Sequence, residues 1–89
     1  MFRLWGKLFL DNHLLKDYVV ENPDPQETRT HKVFAALDEL AHQFDLPVPI
    51  WLDSNIRDFK RNAKTRFRQD SFMEPIEFDF LEIQIIEED

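Results

Sequence analysis

The stretch THKVFAALDELAHQF (residues 30–44) places Val33, Phe34, Leu37, Leu40, Ala41 and Phe44 at the i, i+1, i+4, i+7, i+8 and i+11 positions of a helix. At about 100° per residue these six lie within an arc of roughly 120°, an amphipathic stripe that must be covered. Asp38, Glu39, His42 and Gln43 point away from it. The start has two readings. Asp24 can cap, with Pro25 at the first position and Glu27 at the third, or the helix begins later, near Thr28 or Thr30. Pro47 and Pro49 forbid its continuation.

Working outward toward the N-terminus, the pattern changes from a helical period to a period of two. Phe2, Leu4, Leu8 and Leu10 fall on one face of a strand over residues 2–10, and Arg3, Trp5, Lys7 and Phe9 on the other. Asp11-Asn12 breaks the run, and both residues tolerate positive φ, which suits a two-residue hairpin turn. Residues 13–21 read as the returning strand, with Tyr18, Val19 and Val20 its β-favouring part. Gly6, the single glycine, stands inside the first strand, where it marks a bulge or a close contact.

Toward the C-terminus, Pro49-Ile50-Trp51-Leu52 is a short extended apolar piece, and Asp53 or Ser54 offers a cap for a second helix. On that helix Ile56, Phe59, Ala63 and Phe67 recur at i, i+3, i+7 and i+11, which carries the helical phase as far as Arg68. A short strand from Thr65 to Gln69 is the alternative. Ile76, Phe78 and Phe80 then alternate with Glu77 and Asp79, after which Leu81, Ile83 and Ile85 become the apolar set. That reads as a strand from Ile76 to Glu87 with a bulge or bend near Phe80-Leu81. The order is β-β-α-α-β with an optional extra short strand. It describes one α+β domain over residues 1–89: a mostly antiparallel sheet of three to four strands with helices packed on one face.

Composition narrows the function classes. With 89 residues there is core for one domain, and nine Phe, two Trp and one Tyr supply much of its buried area. The chain has no Cys, which removes disulfides, thiolate nucleophiles and Cys-based zinc sites, and fits a reducing compartment. The N-terminal MFRLWGKLFLD has no signal-peptide pattern, and no apolar run approaches the roughly 18 residues of a membrane span. The expectation is a cytoplasmic chain without a membrane partner.

Candidate chemistry is sparse. His31 and His42 lie about 16 Å apart along one helix, too far to share a metal, and His13 sits beside the hairpin turn. Glu77 and Asp79 share a strand face, as acid pairs of hydrolases do, but with 18 acids such pairs arise without purpose. No nucleophile elbow, phosphate-binding glycine loop or zinc-protease motif occurs. The reading is a non-enzymatic chain with no catalytic, metal or cofactor-binding residues, with a small enzyme that uses carboxylates as an alternative.

Charge is distributed unevenly on a net −7. Residues 46–71 hold six of the 11 cations, and residues 72–89 hold seven of the 18 acids and no cation. Arg57, Lys60, Arg61, Lys64 and Arg68 fall in one arc of the second helix, about 100° wide, a candidate anion-binding stripe for nucleic acid or an acidic protein. Phe59 and Phe67 interleave with it, yet lie on the apolar helix face, and the net negative charge opposes polyanion binding.

Taken together, MFRLWGK, PIWLDSNIRDFKR and FDFLEIQIIEED resemble a set of small uncharacterised bacterial proteins over nearly the whole chain. The resemblance implies a bacterial, cytoplasmic origin and brings no activity, cofactor or catalytic residue with it.

The leading expectation is a protein-interaction module that forms a homodimer or takes a protein partner. Trp5 and Phe9 make the first strand apolar on both faces, and two helices cover only one side of a small sheet. Trp5, Phe9 and Trp51 are therefore the candidate partner-binding residues. The alternative is that the loop around Trp51 folds back and covers Trp5 within the monomer.

Overall fold

The computed structural model of the chain describes residues 1–88. Strands β1 (Phe2–Leu10) and β2 (His13–Asn22) form the hairpin. Asp11 and Asn12 both have positive φ, 52° and 66°, the backbone that a two-residue turn of this hand requires. Helices α1 (Arg29–Gln43) and α2 (Asp53–Asn62) follow, then β3 (Lys64–Phe67), a single 3₁₀ turn at Gln69–Ser71, and β4 (Phe80–Glu87). The sheet is antiparallel throughout, in the order β2-β1-β4-β3.

Of the two starts open for α1, the chain takes the later. Thr28 caps it, its hydroxyl oxygen accepting from the His31 N–H at 3.2 Å. At the other end Asp45 turns left-handed (φ 57°), and the N–H groups of Asp45 and Leu46 return to the carbonyls of His42 and Ala41. The stripe facing the sheet is Val33, Ala36, Leu37, Leu40, Ala41 and Phe44, all buried. Phe34, expected among them, is 48% exposed, and Ala36 takes its place on the sheet side. The helix sits so close to β1 that a large side chain there has no room. A Cβ built on Gly6 would lie 2.5 Å from Leu40 Cδ2, so the single glycine marks a close contact.

Three expectations are corrected. The second helix does not reach Arg68. It ends at Asn62, Ala63 adopts φ 55°, and Lys64–Phe67 pair with β4, which is the short-strand alternative begun slightly earlier. The pairing supplies the reason, because Thr65 and Phe67 then both enter the core at period two, 3% and 0% exposed. The last strand does not begin at Ile76. Residues 77–79 bend, and β4 starts at Phe80. The Gln69 side chain holds this bend by donating to the Glu74 carbonyl and accepting from the Ile76 N–H, each at 2.9 Å. The irregularity within β4 lies at Ile86, between the Leu4–Ile85 and Arg3–Glu87 pairs, not at Phe80-Leu81.

Phe2, Leu4 and Leu8 of β1, Phe67 of β3, and Leu81 and Ile83 of β4 point to the helices and make one core with α1, Phe59, Phe72 and Phe78. Fully buried Leu, Ile or Phe side chains contribute about 1.5–3 kcal/mol each relative to exposure.

Candidate functional site

The domain has two broad surfaces, and they differ in how their charges are satisfied. On the outer face of the sheet the cross-strand register arranges side chains in rows. Arg3 lies between Glu21 and Glu87, at 3.2 and 3.6 Å. Four residues on, Lys7 Nζ is 2.8 Å from Glu82 Oε2, and Arg66 Nε is 2.9 Å from Glu82 Oε1. Burial pushes the Glu82 carboxyl up, but hydrogen bonds from Lys7 and Arg66, and their charges, outweigh it and hold it below the ordinary glutamate range. The aromatic residues lie between these ionic rows. Trp5 Nε1 donates to Asp17 Oδ2 at 2.9 Å, and Lys7 Nζ stands 3.9 Å above the Trp5 ring. Phe9 stacks on Phe80 at 5.0 Å between ring centroids, with the Arg66 and Arg68 guanidinium groups over Phe80.

Trp5 and Phe9 are therefore on the outer face as expected, but half-buried among charged partners rather than on an open apolar sheet. Trp51 does not join them and does not cover Trp5. It lies in the opposite, helical layer, packed edge-on against Phe34, Phe59 and Phe67 at 6.0, 5.5 and 5.0 Å. The extended piece that carries it is tied down by the Ile50 N–H donating to the Ser71 carbonyl at 2.7 Å. Glu77 and Asp79 do not share a strand face either, since both precede β4, and Asp79 Oδ2 accepts from the Asp11 N–H at 2.8 Å, bracing the hairpin turn.

The helical layer contains an apolar cleft between the first half of α1 and α2, with a volume of about 200 Å³. Val33, Phe34, Trp51, Ile56 and Phe59 line it, and Arg29 and Lys60 stand at its edges. Phe34 and Ile56 remain 48% and 41% exposed at its mouth. Ile56 was expected to be buried with Phe59. Instead Asn55 takes the inward position, accepting from the Leu52 N–H at 3.0 Å and donating to Thr65 Oγ1 and the Arg66 carbonyl, both at 2.9 Å. This ties α2 to β3 and turns Ile56 toward the cleft.

The basic stripe is divided by the early end of α2. Arg57, Lys60 and Arg61 stay on the exposed side of that helix, one of them at the cleft. Lys64 and Arg68 go to the sheet, Lys64 opposite Gln84 and Arg68 over Phe80. Among the described residues no carboxylate lies within ion-pair distance of Arg57, Lys60, Arg61, Lys64 or Arg68, whereas Lys7, Arg29 and Arg66 each have one and Arg3 has two. Phe59 and Phe67, 7% and 0% exposed, are core and offer no stacking platform to bases.

Sequence reasoning placed Trp51 and the α2 cations among the candidates but missed Phe34 and Ile56 as surface residues. Both sit at correct core spacing, and only the lateral placement of the helices exposes them. Among the described residues no group of three or more His, Asp or Glu side chains is placed to hold a metal ion, and no helix is long and apolar enough to cross a membrane. No family model, curated protein or solved structure matches the chain.

Proposed function

We infer that the chain is a non-enzymatic protein-interaction module that meets its partner through the helical layer, at the Trp51 cleft and the α2 cations. The observation that carries this reading is the contrast between the two surfaces. Arg3, Lys7 and Arg66 of the sheet face have carboxylate partners within the chain, and among the described residues Lys64, at its β3 edge, has none. On the helical face Arg57, Lys60 and Arg61 have none among the described residues, and they border exposed Phe34 and Ile56. Unpaired charge around partly exposed rings is the usual make-up of a contact surface: an apolar centre with a polar rim.

A photo-crosslinking residue tests the location. It is placed at Phe34, at Phe9 or at Leu14 in the full chain and expressed in the cells that make the protein. A protein adduct from position 34 alone is expected. Adducts from position 9 or 14 without one from 34, or no adduct from any of them, overturn the reading.

Self-association is the second reading, and the free edge of β2 favours it. β2 is a ten-residue edge strand with Leu14, Leu15 and Tyr18 exposed at 47, 49 and 37%. Such an edge can pair with a copy of itself, although Lys16, Asp17 and Glu21 and the irregular pairing at Leu15 work against it. Sedimentation velocity across a wide concentration range decides: this reading needs a dimer that Leu14→Lys abolishes.

A further inference from the structure

We propose that the cleft is an anchor site for one bulky apolar side chain of an acidic peptide segment, whose carboxylates settle on Lys60, Arg57 and Arg61. This rests on the reading of the helical layer as the contact face and specifies its occupant. Three observations carry it: size, lining and charge.

The size excludes most small ligands. Sites for cofactors and drug-sized molecules usually measure roughly 300–1,000 Å³. A cleft of about 200 Å³ admits one large side chain and little more. The lining is apolar and already formed. The Trp51 ring is braced edge-on by Phe59 and Phe67, which are themselves core, so its wall is in place before a partner arrives. Preformed pockets of this kind hold the few side chains that dominate a protein interface.

The charge sets the sign of the partner. Lys60 stands at one lip, with Arg57 and Arg61 within one turn of it along α2, roughly 5–6 Å between neighbouring Cβ atoms. Arg29, at the opposite lip, already has a carboxylate, its Nε 3.1 Å from Glu88 Oε2. Among the described residues the α2 cations have no such partner, although Asp53 and Asp58 belong to the same helix. A second copy is the wrong occupant for this face. A two-fold contact would set Lys60 and Arg61 against their own counterparts, and like charges across an interface are a penalty.

A library of phage-displayed random dodecapeptides, selected against the full chain, tests the proposal. Enriched peptides are synthesised and titrated into ¹⁵N-labelled protein. The expected peptides combine several Asp or Glu with a single Trp, Phe or Leu. They shift the amides of Val33, Phe34, Ile56 and Lys60, and they bind more weakly as salt rises. Replacing the apolar residue by Ala should weaken binding about thirtyfold, the size of a hot-spot truncation, and Lys60→Glu about fivefold, the size of an exposed ion pair. Peptides that map to the cleft but lack acids or lack the anchor overturn the occupant and leave the contact face standing. Peptides that map to the β2 edge or to the outer sheet face, or no enrichment at all, overturn both. A single-stranded oligonucleotide that shifts the α2 amides and binds more tightly than every selected peptide makes the site one for polyanions, and the proposal is wrong.

Discussion

Lys7 Nζ and Glu82 Oε2 lie 2.8 Å apart at the middle of the outer sheet face, with only 12% and 5% of their side chains exposed. This pair, extended by Arg66 on the far side of Glu82, is the most deeply placed charge cluster that the sheet presents. An ion pair at this depth is costly to break from one side only, because the remaining charge keeps its burial and loses its partner.

Glu82 should make the fold acid-sensitive. Its pKa is lowered in the folded chain by Lys7 and Arg66, despite the opposing effect of burial. A depressed carboxyl contributes stability that is present above the unfolded value, about 4.3, and lost as pH falls through the folded pKa. Urea midpoints measured from pH 7 downward should hold to about pH 5 and then fall. In Glu82→Gln that part of the fall should vanish, at a cost of about 2–3 kcal/mol at pH 7.

Gly6→Ala should destabilise by about 1–3 kcal/mol through overpacking, because the new methyl meets the fully buried Leu40. Leu40→Val should recover part of that loss in the double variant. Chemical denaturation of the four-member cycle measures the coupling, and simple additivity of the two single changes would show that the methyl is accommodated elsewhere.

Ala63→Gly should stabilise the protein. Ala63 is held at φ 55°, where its Cβ is strained and glycine is at ease. The gain should be about 0.5–1 kcal/mol, a rise of a few degrees in Tm by calorimetry. A fall in Tm would mean that the Ala63 methyl contributes more by packing than its backbone loses.

Asn55→Ala should cost about 2–3 kcal/mol, since it removes the partner that the Leu52 N–H, the Thr65 hydroxyl and the Arg66 carbonyl find in the buried Asn55 side chain. Amide exchange should rise first at the junction of α2 with β3. Uniform loss of protection across the sheet would place the effect elsewhere.

Much of the fold was legible because local chemistry and tertiary need agreed. Asp11-Asn12 supplies a turn whatever surrounds it, and the Val33–Phe44 spacing admits one period only. The end of α2 was not legible because Phe67 satisfies both periods, four residues after Ala63 and two after Thr65. Alanine, the best helix former, then occupies the residue that stops the helix, and only the pairing of β3 with β4 makes it do so. Ile76 and Phe78 alternate like a strand yet serve a bend, because a side chain seven residues earlier, Gln69, fixes the backbone. The candidate site was half legible. Its cations and Trp51 stand out in composition, whereas grouping Trp5, Phe9 and Trp51 required knowing which layer each belongs to, and hydrophobicity alone carries no such address.

The ionic rows on the outer face have one further consequence. Sliding β4 two residues along β1 would bring Phe80 or Gln84 opposite Lys7 in place of Glu82, and would strand a carboxylate in the middle of the sheet. Hydrophobic side chains tolerate such a shift, since one aliphatic group replaces another, but opposite charges do not. The polar side of this small sheet thus works as a set of keyed teeth: it rejects misaligned strand pairings that the greasy side would accept.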